Sequence, residues 1–543
     1  MVQSKALRPD WLPAVTLSAA LAAAMVAWNP QVGDLAAQVF RAELFQHAGL
    51  SIWNGSWYGG HYTLTYSFLF PPLASLLGVQ LLGAISVVSS SYLFDRLVRD
   101  RWGEQARWAT LWFAAGVVTL LADGQLTFAL GLAFGLAALR CLQLDRGKRA
   151  LLAAAGCALS SPVAAAFLAG VVLIGALGRD RGELGRRPLN RVALGISAVS
   201  LGLIVVPNLA FPESGQFPFA FSSFVAIPLW CGSALYVTRG LREEERDLRL
   251  AIAAYLIVSI VIWLVPNPMG GNAVRLGALF GGPVLAAVVL ARRPRVSAWF
   301  LALFMAGGLY WQVTASVSQL VRSVGDPSTS RSYFQPAAQW LHAHGGPGVR
   351  VEIPPTANHW ESAYLATQFE LARGWLRQLD TTRDDIFYDD ENRLTPTAYS
   401  HWLRRNAITY IALPDAQLDY SSVAERRLIL REPSYLEPRW SSDHWRIYAV
   451  RDPEPLVDPM AGAAAHTLWV GRQGFGLDVS RPGDFLVRVN FTPYWSIDRG
   501  AGCLLRRGDW TVARASHPGI LRVSADFSLG RAWNAVTGAK KTC

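Results

Sequence analysis

Three groups of residues in this sequence have types and spacings that could do chemistry. The first is Gly33-Asp34-Leu-Ala-Ala-Gln38-Val-Phe-Arg41-Ala-Glu43. Helical spacing puts Asp34, Gln38 and Arg41 on one face and spreads Leu35, Val39 and Phe40 over another, as in a helix lying in a membrane interface. A carboxylate there suits general-base work on a hydroxyl, although Asp34 is also an ordinary first-turn acid or N-cap. Just beyond it runs Trp53-Asn54-Gly-Ser-Trp57-Tyr58-Gly-Gly-His61-Tyr62. Trp57, Tyr58, His61 and Tyr62 read equally as interfacial belt aromatics and as a surface for a flat polar ligand, whereas Trp53 reads better as an interfacial aromatic. The second group is Asn267-Pro-Met-Gly-Gly-Asn272-Ala-Val-Arg275. With Asn272 as N-cap, Arg275 falls near the positive end of a helix, where free N–H groups and a guanidinium together bind an anion. The alternative is an Arg reaching for lipid headgroups. The third group is scattered: Asp123 in an Asp-Gly turn, Glu213, and His359-Trp360-Glu361. Asp123 reads first as a turn former. No phosphate-binding loop, nucleophile elbow, zinc-protease or dinucleotide fingerprint stands in a confirming context.

These residues must be held by apolar elements. Of the 543 residues, 52% are hydrophobic and 16% charged, and the mean hydropathy is +0.24. That excludes an ordinary soluble protein, and 21 Trp, 24 Phe and 16 Tyr exclude disorder. Apolar runs long enough to cross a bilayer alternate with short basic loops up to residue 317. Spans are expected near 11–28, 66–94, 106–122, 125–142, 190–210, 221–238, 250–266, 273–291 and 297–317. The stretch 150–177 reads as two short helices folding back around Ser160-Ser161-Pro162, which makes about eleven crossings. The net charge of +11 belongs to the loops rather than to a nucleic-acid surface. Loops assigned inside hold 22 Lys and Arg, and outer loops hold only Arg41 and Arg275. The positive-inside rule then places the N-terminus in the cytoplasm and everything after residue 318 outside a plasma or inner membrane.

After Arg322 the apolar runs shorten. We expect a transmembrane domain over 1–320 with an outer loop at 29–65, an extracytoplasmic α/β domain over 321–455, and a β-sandwich over 456–543. In the α/β part the pattern predicts strands at 349–353 and 408–413 and helices at 359–376 and 397–406. Period-two alternation at 485–491 and 520–527 marks the sandwich. Cys503 and Cys543 both fall there and could pair outside the cytoplasm.

The order of parts resembles the GT-C superfamily of integral membrane glycosyltransferases. Asp34…Arg41, Trp57-Tyr58-Gly-Gly-His61 and Phe70-Pro71-Pro72 look closest to its multispanning bacterial group named for a 6-pyruvoyl-tetrahydropterin-synthase-related domain. Phe491-Thr-Pro-Tyr494-Trp495 is similar to the β-domain ending of related proteins. The resemblance implies sugar transfer from a polyprenyl-phosphate donor to an extracytoplasmic cell-envelope glycan or lipid. Asp34 would be the catalytic base, and Arg275, Arg41 and Asn272 would hold the donor phosphate. Trp57, Tyr58, His61, Tyr62, Glu213, His359 and Glu361 would meet the acceptor or sugar. Asp34 lacks the acidic neighbour common in that group, which leaves a divalent metal open and no cofactor firm. The rival readings are a transporter or flippase of a lipid-linked sugar and a non-catalytic envelope-assembly protein.

Overall fold

The computed structural model describes residues 11–178, 188–213, 215–241, 243, 245–388 and 393–538. Cys543 and seven of the 22 basic residues counted in the inner loops, Lys5, Arg8, Arg179, Arg181, Arg186, Arg187 and Arg242, lie outside that set. The chain divides into two compact units. The first comprises 1–38, 66–205 and 216–321, and the second 39–65, 206–215 and 322–543.

The first unit is helical. Six described helices are long and apolar enough to cross a membrane, from Val79–Trp102 to Ala298–Ser323. A seventh span arises if Leu12–Trp28 and Gly33–Ala48, bent by 79°, are taken together. The chain is therefore that of a membrane protein, but eleven crossings are not found among the described residues. The physical reason is interruption. The stretch expected over 66–94 divides at Gly78 (φ 86°) into Phe70–Leu77 and Val79–Trp102. The one expected over 106–122 divides into Arg107–Gly116 and Thr119–Ala122. Helices Gly147–Ser160 and Pro162–Gly178 meet at an extended Ser161, and Phe221–Phe224 is separate from Ala226–Val237. Except for Val79–Trp102, these pieces fall short of the ~20 residues a crossing needs. The core between the long helices is aromatic, with Phe94 stacked on Phe113 at 3.9 Å. Trp112 donates to Gln312 Oε1 at 2.7 Å, which ties the interrupted helix to Ala298–Ser323.

The second unit holds two β structures. A five-stranded mixed sheet has the order Glu370–Leu371, Arg350–Glu352, Ile408–Pro414, Trp445–Val450 and Leu436–Ser441. The first three strands pair parallel and the remainder antiparallel. Two four-stranded antiparallel sheets follow, containing Gly474–Arg481 with Gly519–Ala525 and Gly483–Asn490 with Trp510–Ala515. Their inward positions are Phe475, Leu477, Val479, Phe485, Val487, Leu521 and Val523, at alternate places along each strand. Cys503 is disulfide-bonded, whereas Cys141, Cys157 and Cys231 are free thiols.

The helix expected over 359–376 is not formed. Only Glu361–Tyr364 is helical, and the chain then enters the strand Glu370–Leu371. His359 has φ 57°, which stops helix formation from starting there. Sheet pairing takes the far end: Val351 lies opposite Leu371, and Leu371 N–H donates to Ser56 O at 2.9 Å. Tertiary pairing outweighs helical spacing here.

Candidate functional site

The first unit brings three of the singled-out residues together. Asp34 lies in the first turn of Gly33–Ala48 and Arg275 in the first turn of Val274–Arg292. Asp123 ends the short helix Thr119–Ala122, in the turn before Leu126–Gln143. That turn presses on the start of the Asp34 helix. Gly124, at φ 70°, lies so close that a Cβ there would stand 2.5 Å from Leu35 N and 3.0 Å from Asp34 C. Only glycine satisfies both the left-handed backbone and the approach.

Asp123 has an unusual environment. Its Oδ1 is closed off from solvent and accepts no hydrogen bond from a described residue. Burial pushes its carboxyl up to about 7. The Ser316 hydroxyl pulls against that shift, the Asp34 carboxylate adds to it, and the Arg275 guanidinium opposes it. Two carboxyls and a guanidinium thus share one electrostatic neighbourhood at the ends of three helices. Arg275 also lies over the Phe128 ring, 5.3 Å from its centroid. The acidic neighbour that Asp34 lacks along the chain is supplied in space by Asp123, 89 positions later.

Asn272 does not cap the Arg275 helix. It is buried inside the short 3₁₀ turn Gly270–Ala273, and the residue before the helix is Ala273. The polar lock on this segment is Asn267, whose Oδ1 accepts from Met269 N and Gly270 N at 2.9 Å each. Tyr255 donates to Ala273 O at 2.9 Å and accepts from Gly277 N at 3.2 Å, holding the first turn from the side.

The same unit forms a part-open cavity of about 750 Å³ with Phe128 in its wall. Phe94, Phe167, Trp230, Leu276 and Phe280 are among its walls, and Arg101, Gln143, Asp145 and Tyr255 are among its polar members.

The aromatic loop behaves differently from its sequence reading. Trp57, Tyr58, His61 and Tyr62 are buried. Trp57 is covered on both faces, by Phe40 at 4.3 Å and by His61 at 5.5 Å with the rings 5° from parallel. Its edge meets Gly374, where a Cβ would come within 2.3 Å of Trp57 Cγ. Tyr58 donates to Gly374 O at 2.7 Å. The pairs Trp53↔Tyr62 and Asn54↔His61 close a hairpin, and Trp53 and Tyr62 enter the sandwich core with Tyr494 and Trp495. At its tip, Gly60 has φ 110° and lies against Trp53, and Asn490 Nδ2 donates to both Tyr58 O and Gly60 O at 2.8 Å. The loop is a structural plug, with no bare ring face left for a sugar. Burial, then Arg383 and Arg41, lower the His61 pKa to about 3, so the imidazole is neutral at physiological pH.

The remaining acceptor candidates are also engaged internally. Glu213 accepts from Tyr62 N at 2.6 Å and pairs with Arg383. Burial raises its pKa, with Arg383 and the Tyr62 N–H opposing. His359 stacks on Trp375 at 3.5 Å, with Asp419 3.4 Å from Nε2 and Glu361 3.6 Å from Nδ1. Burial alone would lower its pKa; the two carboxylates outweigh that and raise it. Glu361 accepts from Thr356 at 2.7 Å. Sequence reasoning missed the ion-pair core around them, where Arg373 meets Asp380 at 2.8 Å and Glu425 at 3.3 Å. Removing one member of such a buried cluster costs about 3–5 kcal/mol, a stability role. Among the described residues no group of three or more His, Cys, Asp or Glu is placed to hold a metal ion.

No family model matches this chain, and no characterised protein matches it in sequence.

Proposed function

We propose that this protein is a membrane glycosyltransferase that takes a sugar from a polyprenyl-phosphate donor and passes it to an extracytoplasmic glycan or lipid. The observation that carries the reading is the meeting of Asp34, Asp123 and Arg275 at helix ends in a unit of apolar helices. In an inverting transfer the acceptor oxygen attacks the anomeric carbon while the bond from that carbon to the phosphate oxygen breaks. The hydroxyl proton passes to Asp34. The departing polyprenyl phosphate takes the bonding electrons and is stabilised by Arg275 and the N–H groups of its helix start. Asp123, with a carboxyl that titrates near neutrality beside Asp34, holds or returns a proton as the pair's charge changes. The apolar cavity with Phe128 in its wall suits part of an isoprenoid chain, which favours a lipid-borne donor over a soluble one.

Native mass spectrometry of the purified full chain tests the donor. The expected result is a co-purifying polyprenyl phosphate or its sugar ester, reduced in Arg275→Ala and partly retained in Arg275→Lys, which keeps the charge without the planar fork. Equal lipid content in all three proteins overturns the role of Arg275 and leaves it as a headgroup-seeking residue.

A further inference from the structure

The last described helix of the second unit, Leu529–Thr537, is built the reverse way from a helix of a soluble domain. Its small residues face the protein: Ala535 is buried and Ala532 packs against the sandwich core. Its large apolar residues face out, with Leu529 82% exposed, Trp533 67% and Val536 51%. Positions 529, 533 and 536 form one stripe at helical spacing. The helix is also firmly built. Ser528 Oγ accepts from Arg531 N, Gly538 closes the end at φ 73°, and Arg531 is held by Asp526 and Ser496 Oγ at 2.8 Å each. The outward stripe is therefore presented by a fixed helix.

What covers that stripe is indicated by its neighbours within the same unit. Phe527, half-exposed, packs on Phe211 at 6.2 Å and on Tyr494 at 6.1 Å. Tyr494 donates to Ala210 O at 2.7 Å. Ala210 is the last residue of Pro188–Ala210, a helix apolar enough to cross a membrane. The last turns of that helix likewise expose Val206 (63%) and Leu209 (55%). The bare stripe and the exposed last turn 206–210, which belongs to the same unit, are thus anchored to the same cluster of rings. A bilayer that receives the apolar turn 206–210 lies next to Leu529–Thr537. Trp at such a depth is favoured, since its ring is apolar and its N–H reaches the headgroup layer.

We infer that Leu529–Thr537 is an interfacial helix that sinks Leu529, Trp533 and Val536 into the bilayer surface beside the end of Pro188–Ala210 and pins the β-sandwich there. The occupant of the stripe is lipid. This inference depends on membrane insertion of the apolar helix and is independent of the glycosyltransferase reading.

The test is photocrosslinking of the full chain in phospholipid nanodiscs, with benzoylphenylalanine replacing Trp533 and, in separate proteins, Leu529, Val536 or Asp443. Asp443 is an exposed residue in the turn between Leu436–Ser441 and Trp445–Val450. The expected result is a mass increase of one phospholipid after irradiation at 529, 533 and 536, but none at 443. Three probe positions keep the test usable where one substitution fails to fold. A crosslink from the stripe to a second copy of the chain or to another protein, or no lipid adduct at any of the three positions, overturns the inference.

Discussion

Asp34 carries the most specific prediction at the scale of single residues. Asp34→Asn keeps side-chain shape and capping ability, since Asn and Asp cap about equally well, but removes the proton acceptor. General-base assistance is typically worth ~10²–10⁴ in rate, so turnover is expected to fall by about that factor with thermal unfolding unchanged. A comparison of kcat and melting temperature for the two proteins checks it, and near-normal turnover moves the base to another carboxylate. Asp123 adds a pH dependence. Its carboxyl, raised to about 7 by burial and then by Asp34, keeps its proton in the folded chain through a range where the unfolded chain has lost it. Between the ordinary carboxylate range and about 7 the folded state binds more protons, so stability falls as pH rises through that window. Asp123→Asn is expected to flatten that slope and to remove the inflection near neutrality from the pH–rate profile. An unchanged profile disconnects Asp123 from turnover. Asp34 and Arg275 were legible in the sequence because each occupies the first turn of a helix, a local signal. Asp123 was ranked as a turn former because an Asp-Gly pair is also a local signal, and its approach to Asp34 depends on how distant helices pack.

At the scale of elements, errors in reading arise where long-range pairing competes with local pattern. The strands over 408–413 and 485–491 were legible because their alternation and turn residues agree with their surroundings, and they stand at Ile408–Pro414 and Gly483–Asn490. The aromatic loop reads as a ligand surface in the sequence because part of what closes it lies far along the chain: Gly374 at the edge of Trp57, and Tyr494 and Trp495 beside Trp53 and Tyr62, while Phe40 and His61 cover the Trp57 faces. A cluster of Trp, Tyr and His has the same composition whether it binds a ligand or plugs a core. The plug reading has its own consequence. Gly374→Ala places a methyl group within 2.3 Å of the Trp57 ring, and overpacking of this kind costs about 1–3 kcal/mol. The second unit is expected to melt earlier in that variant, as followed by hydrogen exchange of 53–62 and the sandwich strands. Unaltered protection there would falsify the plug role.

The whole molecule combines helices long and apolar enough to cross a membrane with a β-rich unit, and charge gives its expected orientation. With 22 Lys and Arg in one set of loops and two in the other, the N-terminus is expected inside and residues 322–543 outside. A reporter active only in the cytoplasm, fused after residue 325, is expected to stay silent; strong signal reverses the orientation and puts the second unit where envelope acceptors are absent. Eleven crossings are too many because hydropathy does not register the breaks at Gly78 and at Val117-Val118, and because the two helices expected on either side of Ser161, which do form, are each too short to cross. The central claim is sugar transfer from a lipid phosphate, and its most direct measurement uses the purified full chain in liposomes with a mixed pool of polyprenyl-phosphate-linked sugars and envelope glycan. The account predicts release of polyprenyl phosphate with sugar appearing on the glycan, and loss of both in Asp34→Asn. Donor left intact by the unaltered protein, or equal release by Asp34→Asn, contradicts it.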